Sequence, residues 1–214
     1  MIKRLIFDVD GTLIQGGDFI ATVTNTLKRL NLYSEENLEK YLNATRTYED
    51  YYNNYNVKDY VEYFSKELSV KLDENFIAIF FDEVSRCIPE DNSKLQDKLE
   101  ELSKDYEMVI LTNYFREGQL GRLKNMGIDR YFSKCYGEEL IKGNKEAYIN
   151  SCGNNKPEEC IMIGDNIKLD IKGAKECGLH TIWINNKGTE AENMDTLTVK
   201  SVSDITQEMI DNIK

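Results

Sequence analysis

Apolar residues along this chain follow two distinct patterns. Four short segments, residues 5–7, 108–111, 161–163 and 181–184, are almost continuously apolar. A strand exposed on one face alternates apolar and polar residues, whereas a strand of a parallel sheet is covered by helices on both faces. The four segments therefore read as buried parallel strands. Between them the spacing turns helical. Leu95, Leu99 and Leu102 recur within residues 93–104, Leu120 and Leu123 within 116–125, and Ile167, Ile171 and Ala174 within 167–177. Gly127 and Gly178 fall where the last two helices need C-terminal caps. Strands alternating with helices predict right-handed crossovers and an α/β class: a doubly wound, three-layer core around a parallel sheet.

Residues 15–89 break the alternation and show helical periodicity only, over 19–30, 34–42, 57–68 and 75–88. They predict an all-helical domain inserted after the first strand, with Pro89 marking the return. The expected organisation is an α/β core domain from 1–14 and 90–214, and a small helical domain from 15–89. Seven tyrosines lie between Tyr41 and Tyr63, most of them expected to pack the core of the insertion.

Composition narrows the function. The chain has 214 residues, is 41% apolar and carries a net charge of −11. That charge argues against a general nucleic-acid binder, which needs clustered Lys and Arg to neutralise phosphates. An anionic small substrate would need a local cation to hold it. The five cysteines are odd in number and form no Cys-x-x-Cys pair. With no signal peptide in view, they are expected to be reduced thiols of a cytoplasmic protein. The longest apolar stretch, residues 76–81, is far short of the ~20 residues of a membrane helix. The single histidine, His180, begins a strand and is expected to be structural. No dinucleotide-binding or Walker loop is present.

The candidate chemistry sits where three of the predicted strands end. The first runs into Asp8, the second into Thr112-Asn113, and the third into Gly164-Asp165. In an open parallel sheet, ligands bind beyond the carboxyl ends of the strands, near the point where strand order reverses. Two carboxylates and a hydroxyl at three such ends, with Gly11 and Gly164 for sharp exits, suggest one shared site. Asp-x-Asp-Gly also invites a calcium-loop reading. That loop has glycine sixth and glutamate twelfth; here, counting from Asp8, glycine is fourth and Phe19 is twelfth.

Asp8-Val9-Asp10-Gly11-Thr12-Leu13 resembles the first signature of the haloacid dehalogenase superfamily of hydrolases. Leu111-Thr112-Asn113 resembles the second, and Gly164-Asp165-Asn166-Ile167-Lys168-Leu169-Asp170 the fourth. The flanking runs at 127–132 and 173–178 extend the likeness over nearly all of the core, and the helical insertion matches the position of the α-helical cap. The resemblance implies a Rossmann-like core and a phosphatase-type hydrolase. Asp8 would be the nucleophile and Asp10 the general acid and base. Mg2+ would be held by Asp8, the main-chain carbonyl of Asp10, and Asp165, with Asp170 a further ligand or a partner to one. Thr112 and Asn113 would hold the phosphoryl oxygens. Family members that act as dehalogenases lack an aspartate at the position of Asp10. The third signature, a lysine, has two candidates, Lys142 and Lys145. Lys142 keeps a spacing of 23 residues to Asp165, being at 142 against 165, and is preferred on that ground. Many relatives place Lys-Pro here, where this chain has Lys142-Gly143, and Tyr148 falls where they place an aromatic.

A cation is needed on physical grounds, because an aspartate attacking a phosphate ester brings two anions together. At ~4 Å and an effective dielectric near 20, each pair of unit charges repels by about 4 kcal/mol. Magnesium suits all-oxygen ligands and bound phosphate. The expected partner is a small phosphate ester such as a nucleoside monophosphate or a sugar phosphate, with neither nucleic acid nor membrane. In the insertion, Arg46 and one of Tyr51, Tyr52 or Tyr55 are candidates to contact it. The competing readings are a phosphomutase using the same aspartyl-phosphate and a non-catalytic binding protein that keeps the fold.

Overall fold

The apolar runs become strands whose two faces serve two different cores. The structure is a computed structural model that describes residues 1–49, 55–190 and 196–213. Its strands are β1 (Arg4–Phe7), β2 (Glu107–Leu111), β3 (Lys134–Tyr136), β4 (Cys160–Gly164), β5 (His180–Ile184) and β6 (Leu197–Val199). Among the described residues these form one sheet in the order β3-β2-β1-β4-β5-β6, with every pairing parallel. On one face, Leu5, Phe7, Met108, Ile110, Ile161, Ile163 and Ile182 meet Leu99 and Leu102 of α5 (Ser93–Leu102) and Leu123 of α6 (Arg116–Asn125). On the other, Ile6, Val109, Leu111 and Met162 meet Ala147 and Tyr148 of α7 (Lys145–Ser151) and Ala174 of α8 (Gly173–Glu176). Alternate side chains of each strand thus feed opposite cores, which is why the strands show no alternation in sequence. The result is the expected three-layer α/β fold.

Two strands were not foreseen. β3 and β6 are three residues long and lie at the two edges of the sheet. Lys134 and Thr198 are exposed, so neither segment carries the apolar signal of a central strand. Residues 167–177 also depart from a simple α-helix: Ile167–Lys172 are wound more widely, as a π-type turn, before α8 begins.

The insertion folds into α1 (Phe19–Arg29), α2 (Glu35–Thr47), α3 (Val57–Glu67) and α4 (Glu74–Val84). Each starts at a polar residue whose side chain accepts a main-chain N–H of the first turn: Asp18, Ser34, Asn56 and Asp73. Such caps satisfy donors that the helix itself leaves unpaired. The four helices gather a core of their own around Leu27, Tyr41, Phe64, Phe76 and Phe80, joined by Phe115 from the start of α6. Tyr41 and Tyr60 pair their hydroxyls at 3.2 Å inside it. Among the described residues, no helix is long and apolar enough to cross a membrane.

Sheet order positions the site. β1 has β2 on one side and β4 on the other. The chain builds outward from β1 through β2 to β3, then returns to lay β4 against the opposite edge of β1. Strand order reverses at β1, so the carboxyl ends of β1, β2 and β4 open into one crevice.

Candidate active site

β1 ends in a tight turn that aims its acids outward. The main-chain N–H of Asp8 still bonds Ile163 O at 2.9 Å, after which Gly11 and Ile14 close the turn on Ile14 and Val9 carbonyls. Gly11 has φ +78°, and a β-carbon there would lie 2.4 Å from Asp165 Oδ2. Only glycine allows the turn and the Asp165 carboxylate to come this close. Across the crevice, a β-carbon on Gly164 would lie 2.2 Å from the Asp170 carboxylate.

Asp8, Asp165 and Asp170 each offer an oxygen, and these oxygens lie within 4.8 Å of one another. Asp170 is fully buried, and its Oδ2 accepts the Asn166 N–H at 2.9 Å. The wide π-type winding lets Asp170 N and Ile171 N share the Asn166 carbonyl while the Asp170 carboxylate is turned toward Lys142. Lys142 is 4% exposed. Its ammonium donates to Asp8 Oδ1 at 2.6 Å and to Asp170 Oδ1 at 2.7 Å. Of the two candidate lysines, Lys142 is the one brought to these acids; Lys145 is exposed at the first position of α7.

The lysine is held by its own backbone. Lys142 N donates to Asn113 Oδ1 at 2.6 Å, and Asn113 Nδ2 donates back to Lys142 O at 3.3 Å. Gly143 N donates to Tyr148 Oη at 2.9 Å, and that hydroxyl donates to Leu169 O at 2.7 Å. Asn113 and Tyr148 thus tie the lysine loop to β2 and to the turn bearing Asp170.

The site is short of positive charge. Burial pushes the Asp8 carboxyl up; Lys142 works against that, and neighbouring Asp170 adds to it, leaving it raised. Burial, then Asp170, raises Asp165 as well. Burial disfavours the Lys142 ammonium, but Asp170 and Asp8 outweigh it and raise its pKa. One ammonium among three clustered carboxylates leaves an excess of negative charge, and every donor atom is oxygen. This donor set fits a hard divalent cation.

Asp8, Lys142 and Asp165 line a cavity of about 660 Å³, with Asp170 buried behind them. Asp10, Thr112 and Asn113 also line it, and Phe19, Ile20, Arg46 and Tyr55 contribute from the insertion. Tyr55 is 5% exposed and packs on Tyr114 and Phe115 with ring centres 5.2 and 5.3 Å away. Its buried hydroxyl is raised well above the usual tyrosine range by desolvation first. Tyr51 and Tyr52 lie outside the described residues. His180 opens β5, at the end of the sheet opposite the crevice.

Two residues at the site were not anticipated. Helical spacing in 116–125 selected Leu120 and Leu123 as the inward face, yet Leu120 is 42% exposed and Gln119 and Arg122 are buried. Gln119 Nε2 donates to Asp10 Oδ2 at 2.6 Å, and Arg122 pairs with Asp10 Oδ1. Polar residues on a helix ordinarily mark its solvent face, so the sequence carried no signal for them.

The sequence pattern of the haloacid dehalogenase-like hydrolase family matches residues 5–184, and the chain belongs to that family. Two similar proteins are a pyrimidine 5′-nucleotidase, PynA, from Streptococcus pneumoniae and the human N-acylneuraminate-9-phosphatase. The first is 30% identical over 90 residues, covering 39% of this chain and 38% of that protein. The second is 31% identical over 96 residues, covering 42% and 39%. The match thus spans about two fifths of the length of each of these two relatives. A phosphatase structure from Thermococcus onnurineus superimposes with a TM-score of 0.66 at 22% identity, covering 94% of each chain. An L-2-haloacid dehalogenase from Xanthobacter autotrophicus gives 0.64 at 18%, covering 95% and 96%. These two likenesses establish the fold, which both chemistries share.

Proposed function

We propose that the protein is a magnesium-dependent phosphatase that hydrolyses a small phosphate monoester through an aspartyl-phosphate on Asp8. The observation that carries this reading is the pairing of two acids from one turn. Asp8 is buried against Lys142, and Asp10, two residues on, has a side chain 55% exposed in the cavity wall. A buried carboxylate suits attack, and one open to the cavity suits proton exchange with substrate and water. The nucleotidase and phosphatase names of the two relatives support the same class of reaction.

A carboxylate oxygen of Asp8 attacks phosphorus, and the bond from phosphorus to the ester oxygen breaks. Asp10 gives its proton to the departing oxygen. It then takes a proton from the water that attacks the aspartyl-phosphate, releasing inorganic phosphate and restoring Asp8. Thr112 and the main-chain N–H of Asn113 hold the phosphoryl oxygens, where placed donors stabilise developing charge. Lys142 offsets the charge of Asp8 and the phosphate. Asp8, Asp165 and the main-chain carbonyl of Asp10 would hold Mg2+, with Asp170 beside them; bound there, it supplies further charge neutralisation between the carboxylate and the phosphate. Residues 15–89 act as a cap over the cavity and select the leaving group. The five free thiols are in keeping with a reducing, cytoplasmic setting.

The test is release of inorganic phosphate from an aryl phosphate with and without Mg2+, followed by a panel of nucleoside and sugar phosphates. Wild type should release phosphate and dephosphorylated product in equal amounts only with the metal. Asp8→Asn should be folded and inactive. Wild-type turnover by Asp8→Asn would falsify the assignment.

A further inference from the structure

The inward face of α6 carries two polar side chains that the reaction above leaves unused. Gln119 is fully buried and Arg122 is 6% exposed. Burying a guanidinium and an amide is unfavourable unless their N–H groups are paired, and an apolar residue would fill either place without that requirement. Their pairing converges on Asp10, with Gln119 Nε2 also donating a longer bond to Thr112 Oγ1 at 3.4 Å. Gln119 Nε2 donates to one oxygen of Asp10 and Arg122 Nη1 to the other. Arg122 Nη1 also donates to Gln119 Oε1 at 3.1 Å, so the two brace each other. Arg122 Nε donates to the main-chain carbonyl of Cys87 at 2.9 Å, in the segment returning from the insertion. Asn125, one turn further along α6, donates to Ser85 O at 2.8 Å in the same segment.

We propose that Gln119 and Arg122 are positioning residues for Asp10, holding its carboxyl group in a single orientation for proton transfer, and that Arg122 references that orientation to the main chain at Cys87. The proposal rests on the reading of Asp10 given above. An aspartate side chain at the cavity wall has several rotamers open to it. With one donor on each oxygen, both χ angles of Asp10 are set by a helix rather than by its own turn. The distinction matters because proton transfer needs hydrogen-bond reach, and a misplacement of about 1 Å can lower a rate about 100-fold.

Leaving-group dependence separates aim from general damage. 4-Nitrophenolate departs readily without a proton, whereas phenolate, of almost the same shape, depends more on one. Wild type, Asp10→Asn, Gln119→Leu and Arg122→Lys are compared by kcat/KM on 4-nitrophenyl phosphate and phenyl phosphate, after circular dichroism shows each to be folded. Gln119→Asn, which keeps the amide but shortens its reach, replaces Gln119→Leu if that variant does not fold. Asp10→Asn should lose far more activity on phenyl phosphate. The clamp variants should shift the ratio of the two rates the same way, by about 10-fold, a part of the roughly 100- to 10,000-fold that general acid–base catalysis supplies. A merely structural role lowers both rates alike. An unchanged ratio in the clamp variants, beside a shifted ratio in Asp10→Asn, overturns the positioning role alone. An unchanged ratio in Asp10→Asn overturns the reading of Asp10 and this proposal with it.

Discussion

Lys142 Nζ lies 2.6 Å from Asp8 Oδ1, joining residues 134 positions apart in a place where neither side chain is more than 9% exposed. The same ammonium reaches Asp170, so one cation serves two buried acids. Removing it by Lys142→Ala leaves those acids facing each other. Breaking a buried pair in this way costs about 3–5 kcal/mol, and loss of a charge-stabilising donor lowers turnover about 100-fold or more. Lys145→Ala, at an exposed position, should stay within about two-fold of wild type, as surface changes generally do. Urea melts and steady-state kinetics on both variants check the contrast; the opposite pattern moves the phosphate-site lysine to Lys145.

The cluster of Asp8, Asp165 and Asp170 should bind Mg2+ in the folded state only. At a concentration ten times its dissociation constant, the ion adds about 1.4 kcal/mol of stability. For a chain of this size that corresponds to a rise in Tm of about 3–6 °C. Asp165→Asn should abolish the rise. Thermal melts with and without MgCl2, against a NaCl control of equal ionic strength, read it directly, and an unchanged wild-type Tm counts against the cation site.

Gly11→Ala tests the turn itself. Its φ of +78° and the Asp165 carboxylate, 2.4 Å from where a β-carbon would sit, leave no room for a methyl group. Backbone strain of this kind costs about 1–3 kcal/mol, and the displaced Asp165 should take the Mg2+-dependent Tm shift with it. A variant that keeps both stability and metal response shows that the turn can relax without moving Asp165.

Tyr148→Phe removes the hydroxyl that accepts from Gly143 N and donates to Leu169 O. Two partners are left unpaired, for an expected loss of about 1–3 kcal/mol. The lysine loop would lose one of its two ties while Asn113 keeps the other, so kcat should fall several-fold rather than vanish. Chemical denaturation together with kinetics separates this outcome from a purely structural one, in which stability drops and kcat does not.

Much of the fold was legible because burial leaves a linear trace. β1, β2, β4 and β5 are packed on both faces, so every residue of their centres must be apolar, and the run shows in the sequence without any partner in view. The four helices of the insertion were readable from their apolar periodicity, and the structure bounds them with caps at Asp18, Ser34, Asn56 and Asp73. β3 and β6 were not, because an edge strand of three residues is defined by the neighbour it pairs with rather than by its composition.

For the site, the sequence by itself determined that Asp8, Thr112 and Asp165 stand at the ends of buried strands, since apolar runs stopping at polar residues are a local fact. It also placed Asp10 two residues past Asp8. Tertiary structure decided the rest. Lys142 or Lys145 was a choice between two similar neighbours until the loop was folded and one ammonium met Asp8. Whether α6 turned Leu120 or Gln119 inward depended on having an aspartate on one side and the segment returning from the insertion on the other. A polar side chain is buried where partners from distant parts of the chain satisfy its hydrogen bonds, and those partners assemble only in the folded protein.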